Sequence, residues 1–449
     1  MEFMKQSDKK PSGKTGTASG KAPKTKRKSN KAVPKPIATT MRLGRTLRTG
    51  GAFIVRESRK AYDTFNTFTQ TGEITTDKKK KKAKPVPEKG RINRNLAYVL
   101  FILGIAVVLS ISLMILNNAS VEIERKTVSV VGLNGDLEGY RILVLSDLHG
   151  RSFGNGQTSL LRTINSLGYD MVLFTGDMVG KGGNPQPFYD ILEGISANRP
   201  KYFIAGDSDP APVLSEPRED GGTLNSMVLN DWVLGAQERG AVYLDVTQGL
   251  TVGRAHLWLS PVNALTVNVP EGLDLFNDQL DQETEGSLYG VEVDYNQLPL
   301  TTYRRNLLLK LDDTLHSIGT EDLHIGVSHI PPSDDYMAVA LHLGQTAQEY
   351  DYLPPVDLVF AGHYCGGGWQ IPFYGAFFIP NTFLPRHGWF PDQSLVQGLR
   401  QVGTVQMYTS PGLSVSDRIF LPNFRVFNSP RITLITLTAA ITDDLLGNG

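Results

Sequence analysis

From residue 140 onward, short apolar runs alternate with longer amphipathic stretches. The runs RILVLS, MVLFT, KYFIA, HIGVS and DLVFA begin at Arg141, Met171, Lys201, His324 and Asp357. Each is rich in Val, Ile, Leu and Phe and is bounded by Gly, Asp or His, as buried strands are. Between them, residues 157–167, 227–238 and 303–318 carry helical patterning. Such alternation predicts a layered α/β domain. Residues 260–300 are acidic and weakly periodic, so an inserted surface region is expected there, mostly solvated loop with a substrate-shaping lid as the alternative. Residues 96–116, LAYVLFILGIAVVLSISLMIL, contain no charge and are long enough to cross a bilayer as a helix.

Charge divides the chain at that apolar run. Of the 45 Lys and Arg, 26 lie before Asn95, against 7 of the 45 acids. Lys89, Arg91 and Arg94 precede the run, whereas Asn117, Asn118, Glu122 and Glu124 follow it. The positive-inside rule then predicts a signal anchor in the cell membrane, with the N-terminus cytoplasmic and the rest outside. Expected domains are a basic tail (1–94), the anchor (95–117) and a globular body (128–449).

The first forty residues are too polar to bury a core and are expected to be disordered. Residues 41–68 repeat Arg42, Arg45 and Arg48, then Tyr62, Phe65 and Phe68, but Gly50-Gly51 interrupts them; a weakly structured tail is expected, with a basic helix lying on the membrane surface as the alternative. The KKKKKAK run at 78–84 predicts contact with anionic lipid headgroups. Nucleic acid is not an expected partner, because no aromatic platform accompanies the charge. One cysteine, Cys365, excludes an intrachain disulfide.

Ligands of open α/β sheets sit beyond the carboxyl ends of strands. Those positions hold Asp147 and His149, then Asp177, then Asp207, Ser208 and Asp209, then His329, then His363 and Cys365. Five strand ends finishing in metal-capable groups make a joint pattern that single caps and core histidines do not explain. In DLH and HYC a spacing of two puts both side chains on one face of an extended segment. His256, His316, His324, His342 and His387 follow no strand end and are assigned no role.

The order D-x-H, G-D, G-D-S-D, lone His and G-H-x-C resembles the metallophosphoesterase, or calcineurin-like phosphoesterase, superfamily, and its membrane-associated bacterial branch in particular. The segments SDLHGRSFG, LFTGDMV, AGHYCGGGWQIPFYGAFFIPN and SPGLSVSDRIFLPNFRVFNSPRITLITL carry the similarity, which spans residues 128–437. The resemblance implies an α/β/β/α sandwich of two mixed sheets and hydrolysis of a phosphodiester or phosphomonoester at two divalent metal ions (Mn, Fe, Zn or Ni). One metal would take Asp147, His149, Asp177 and Cys365. The other would take Asp177, Asp207, His329 and His363, with Asp177 bridging. Asp177, Ser208 and Asp209 become the catalytic candidates.

Three positions depart from the family pattern. Asp207 stands for Asn, Ser208 for the His that protonates the leaving group, and Cys365 for the last His; Asp209 matches. Ionised Asp207 and thiolate Cys365 would neutralise two dications already facing Asp147 and Asp177, weakening their pull on a phosphate. Slower turnover or a preference for thiolate-loving Zn or iron is expected, or one subsite stays empty. The alternative is a degenerate member that acts as a binding or scaffold module.

Overall fold

A computed structural model describes residues 93–217, 225–285, 298–346, 351–379, 388–417 and 425–440. The basic tail with its 41–68 and 78–84 segments, His387 and residues 286–297 of the acidic insert lie outside the described residues. Residues 1–91 and 92–449 form separate units.

The apolar run forms one helix, Arg94–Ala119, opened by Asn93, whose side chain accepts the Asn95 N–H. Its 26 residues span about 39 Å, more than a hydrocarbon core needs. Phe101 is 67% exposed and Ile102 65%, so this is not the buried helix of a soluble core. It is long and apolar enough to cross a membrane.

The strands in chain order are β1 (Glu122–Val130), β2 (Arg141–Leu145), β3 (Met171–Phe174), β4 (Lys201–Phe203), β5 (Val213–Pro217), β6 (Asn225–Leu229), β7 (Ala241–Tyr243) and β8 (Gln248–Val252). They continue with β9 (Ala255–Pro261), β10 (Leu323–Val327), β11 (Leu358–Ala361), β12 (Trp369–Ile371), β13 (Gly375–Phe378), β14 (Gly398–Val402), β15 (Val405–Thr409) and β16 (Arg431–Ala439). One six-stranded sheet has the order β1-β16-β2-β3-β4-β7, the other β14-β15-β11-β10-β9-β8. Both are mixed: β2, β3, β4 and β7 run parallel, as do β9, β10, β11 and β15, with antiparallel pairs toward the flanks.

Period-two alternation builds the layers. Ile142, Val144, Met171 and Leu173 face Ile325, Val327, Leu358 and Phe360 between the sheets. Their neighbours Leu143, Leu145, Val172 and Phe174 turn outward onto helices Thr158–Asn165, Gln186–Gly194 and Asp231–Glu238. Val359 and Met407 turn the other way, onto Leu308, Leu311 and Met337 of helices Leu298–Leu315 and Asp334–Thr346. The result is the α/β/β/α sandwich.

Two expectations are corrected. Met227 lies in β6, not a helix; the helix starts at Asp231 because Asn230 caps it. The acidic insert is not mainly solvated loop: Val269–Glu285 is a helix, and Val262, Leu265 and Val269 are buried against the second sheet. On that helix Val269, Leu273 and Phe276 pack on the same cluster at a helical spacing of four and three, but Glu271, Asp274 and Asp278 among them hide it.

His324, on β10, is buried between Ser260 Oγ (2.7 Å from Nε2) and the Pro354 carbonyl (3.0 Å from Nδ1). Burial depresses its pKa to about 4. A depressed imidazole contributes stability that is present above the unfolded pKa and lost as pH falls toward 4. Asp357, whose backbone-bonded carboxylate burial raises to about 6, acts in the opposite sense. Their contributions separate by difference: the destabilisation by His324→Gln should be about 2 kcal/mol smaller at pH 5 than at pH 8 in urea unfolding. An unchanged difference would place the proton elsewhere.

Candidate metal centre

Because the central strands run parallel, their carboxyl ends meet at one edge of the sandwich. The ends of β3, β4, β10 and β11 bring Asp177, Asp207, His329 and His363 together, with ligand atoms all within 4.8 Å of one another. Asp147 and His149 after β2 meet Cys365 after β11 in a second group of the same tightness. Asp177 lies between the groups, its Oδ2 being 3.2 Å from His329 Nε2 and 3.6 Å from His149 Nε2. Asp207 Oδ1 is 3.3 Å from His329 Nε2 and 3.4 Å from His363 Nδ1, and those two nitrogens are 3.1 Å apart. Cys365 Sγ is 3.8 Å from His149 Nε2. Among the described residues, His256, His316, His324 and His342 join neither group.

The surroundings fix these side chains. His329 Nδ1 is 2.8 Å from the Thr175 carbonyl, so a ring proton sits on Nδ1 and Nε2 is the atom turned toward Asp177 and Asp207. Asp147 Oδ1 accepts the His363 N–H at 3.0 Å, while its Oδ2 is buried without a hydrogen-bond partner. An orphaned buried carboxylate oxygen beside imidazole lone pairs and a thiol is a donor set that fits divalent cations.

The backbone is bent to serve the same point. Asp147, His149, Asp177, His363 and Cys365 have φ of 54°, 49°, 53°, 79° and 50°, in the left-handed region that L residues avoid. Such strain persists where the surroundings over-determine it, characteristically at functional sites. Gly206 completes the fit, since a Cβ there would strike the Asp177 carboxylate and backbone nitrogen.

Electrostatics follow from crowding acids and imidazoles out of water. Burial works to lower the His329 pKa, yet the Asp177 and Asp207 carboxylates lift it well above the usual range. The same contacts, against burial, hold Asp177 and Asp207 below theirs. Burial first, then Asp147, pushes the Cys365 thiol far up, so only a strong local positive charge makes it a thiolate.

Of the other predicted residues, Ser208 is buried and its N–H donates to Asp177 Oδ1 at 2.8 Å. Asp209 was expected among the catalytic residues. Its carboxylate instead accepts backbone N–H groups from Met178, Val179, Gly180 and Gly206 (2.7–3.3 Å), clamping the ends of β3 and β4. Burial, with Asp177 adding to it, raises its pKa despite those bonds.

Sequence reasoning gave no role to Asp417 or Arg425. Asp417 Oδ2 accepts the Lys181 N–H at 2.7 Å and lies 3.6 Å from His149 Nδ1. Burial opposes its ionisation, but His149 and the Lys181 amide bring its pKa down to about 2. It sits in the loop after β15, a sixth strand ending at this edge; the run VQMYTS was the available signal. An outer carboxylate orienting a ligating imidazole typically accounts for about 10–100-fold in metal affinity. Asp417→Asn should therefore weaken metal binding by that factor in chelator competition, and unchanged affinity would remove its positioning role. Beside His329, a cleft of about 380 Å³ is lined by Tyr243, Asp245, Asn263, Tyr303 and Leu307, so helix Leu298–Leu315, which follows the acidic insert, borders the site.

Layered sheets with acids, imidazoles and a thiol converging at their shared edge define a candidate metalloenzyme domain. The family model for calcineurin-like phosphoesterases matches residues 140–366, and the chain belongs to that family. Its members use divalent metals, and the two clusters are candidate sites for them. Among solved structures, the phosphopantetheinyl hydrolase PptH from Mycobacterium tuberculosis matches at 13% identity and a TM-score of 0.28, over 61% of this chain and 91% of that one. No curated protein matches.

Proposed function

We propose that this protein is a membrane-anchored phosphoesterase that hydrolyses a phosphodiester or phosphomonoester at a dinuclear metal site. The observation that carries the reading is the pair of adjoining ligand groups with Asp177 between them. Asp147, His149, Asp177 and Cys365 would hold one cation, and Asp177, Asp207, His329 and His363 the other. Zn or iron suits the sulfur ligand best, with Mn and Ni the other candidates. Two such ions supply a hydroxide nucleophile at neutral pH and charge stabilisation for the phosphoryl oxygens.

The chain's own residues do the rest. Thr175 holds the His329 tautomer, Ser208 N–H and Asp209 position the Asp177 and Asp207 loops, and the Tyr243–Tyr303 cleft receives part of the substrate. Ser208 provides no imidazole to protonate the leaving group, so esters with good leaving groups are the better substrates. We further propose that residues 1–94 are a cytoplasmic tail that contacts anionic headgroups, that 95–117 are the anchor, and that 128–449 lie outside the cytoplasm.

A second reading, a family member with little catalysis that serves as a binding or scaffold module, is favoured by Ser208 and Cys365. Metal analysis of the purified full chain, with assays on a chromogenic phosphodiester under Mn, Zn, Fe, Ni and Mg, decides between them. Two bound metals with turnover support the enzyme. Ser208→His should then raise kcat on a poor leaving group by about 100-fold at unchanged metal content. Absence of turnover under every metal, with no gain in Ser208→His, leaves the scaffold reading.

A further inference from the structure

We propose that the edge carrying the metal centre lies against the bilayer surface, seated by an aromatic patch beside the exit of the apolar helix, and that the substrate is a phosphate ester carried on a lipid. This rests on the proposed membrane anchoring and phosphoesterase activity, and it names the substrate class of that site.

The helix exit is fixed to the site from two sides. Asn118 is buried; its Oδ1 accepts the Arg425 N–H and its Nδ2 donates to the Arg425 carbonyl, both at 2.7 Å. The Asn118 carbonyl accepts from Arg151 at 2.6 Å. Arg151 follows His149 by two residues, and the Arg425 guanidinium donates to the Cys365 carbonyl at 2.7 Å. Both arms of the first ligand group are thus tied to the last turn of the helix, and only Ser120 and Val121 separate that helix from β1. So short a connection leaves the domain no reach away from the membrane.

The surface beside this exit is apolar where a soluble domain would be polar. Val426, next to Arg425, bridges to Trp369, and the Gln370 N–H donates to its carbonyl. That joins the helix exit to the β12–β13 hairpin, which begins four residues after Cys365. Phe373 at its turn is fully exposed, and Tyr374, Trp389, Phe390 and Phe427 are 47–60% exposed. Tyr374 stacks edge-on against Phe390 at 5.8 Å, and Trp389 packs on Phe378 at 4.5 Å. Phe373, Phe390 and Phe427 also have φ of 68°, 49° and 50°. Bulky residues in the left-handed region are costly, and here the strain turns rings toward the outside rather than into a core. Clustered Trp, Tyr and Phe are the side chains that settle at a membrane interface. Continuity with a membrane-length helix selects a bilayer over a protein partner. A site so placed meets phosphates that lipids present at the headgroup level.

The test uses the full chain in vesicles of phosphatidylcholine and phosphatidylglycerol whose acyl chains are brominated. Bromine should quench tryptophan fluorescence, and Trp369→Phe with Trp389→Phe should remove most of that quenching; Trp232, buried in the helix-covered core, and Trp258, bonded to Asp322 at the opposite end of β10 from His329, are out of reach. This readout needs no turnover, so it stands apart from whether the metal centre is active. For substrate class, the triple variant Phe373→Ser/Phe390→Ser/Phe427→Ser should cleave vesicle-borne phosphatidic acid or phosphatidylglycerol at least about tenfold more slowly. Hydrolysis of a soluble chromogenic ester should stay within about twofold. Unquenched Trp369 and Trp389 in a membrane-inserted chain overturn the seating, and so does a patch whose variants instead change oligomeric state. Equal loss on lipid and soluble esters, or no cleavage of either lipid by a chain active on the soluble ester, overturns the lipid assignment.

Discussion

Asp177→Asn is expected to lower kcat on a chromogenic phosphodiester by about 10³-fold or more, the equivalent of about 4 kcal/mol of lost charge stabilisation. The substitution keeps the shape and removes the charge that lies between the two ligand groups. Asp177 is 2% exposed, and its Oδ2 faces the Nε2 atoms of His329 and His149. An amide there would turn either a weak oxygen or an N–H₂ donor toward those imidazoles, and neither bridges two cations. Metal analysis should show stoichiometry falling with the rate, while the Ser208 N–H still finds an acceptor and the fold survives. Undiminished turnover in a folded variant would show that Asp177 does not bridge metals.

Arg425→Met should be the most destabilising single change, by about 5 kcal/mol or more. The Arg425 side chain is completely buried and donates to the carbonyls of Asn428, Gly412, Ser414, Cys365 and Pro411 at 2.6–3.0 Å. Among the described residues no carboxylate is bonded to it, and burial lowers its pKa to about 10. Methionine fills similar space but removes five buried hydrogen bonds at once; the Cys365 and Gly412 carbonyls keep the Gly368 and Arg431 N–H groups, whereas the Pro411 and Asn428 carbonyls lose the guanidinium at about 1–3 kcal/mol each. Arg425→Lys should recover only part, because three donors on a flexible stem cannot reach five carbonyls in a plane. Guanidinium unfolding of the two variants checks the order. A drop under about 1 kcal/mol for Arg425→Met would mean that water replaces the guanidinium.

The comparison of these two residues shows what the sequence could reveal. Asp177 was legible because it follows MVLF, a strand buried on both faces whose apolar run is unbroken; the strands leading to Asp147, Asp207, His329 and His363 are likewise short, mostly apolar and buried. Arg425 lies within a segment that resembles the family, yet a lone arginine in IFLPNFRVF carries no pattern of its own, and only the convergence of distant carbonyls makes it structural. Asp417 escaped because Gln406 interrupts the apolar run of β15, so its strand end was not counted. The helix Val269–Glu285 escaped for a related reason: its buried edge rests on few apolar residues among many acids. Asp209 was legible as a residue of the site, but its bonds to the Met178, Val179, Gly180 and Gly206 N–H groups were not, since sequence order only places it beside Asp207.

The pairing of β1 with β16 joins Glu122–Val130 to Arg431–Ala439 residue by residue. Among the described residues β1 is an edge strand paired only with β16, roughly three hundred positions later. During synthesis, the segment that emerges first therefore waits, unpaired, until nearly the whole domain has left the ribosome. Its open hydrogen-bonding row is then available to wrong partners for the longest time. Truncation before Arg431 should consequently yield an aggregating nascent product rather than a smaller folded enzyme.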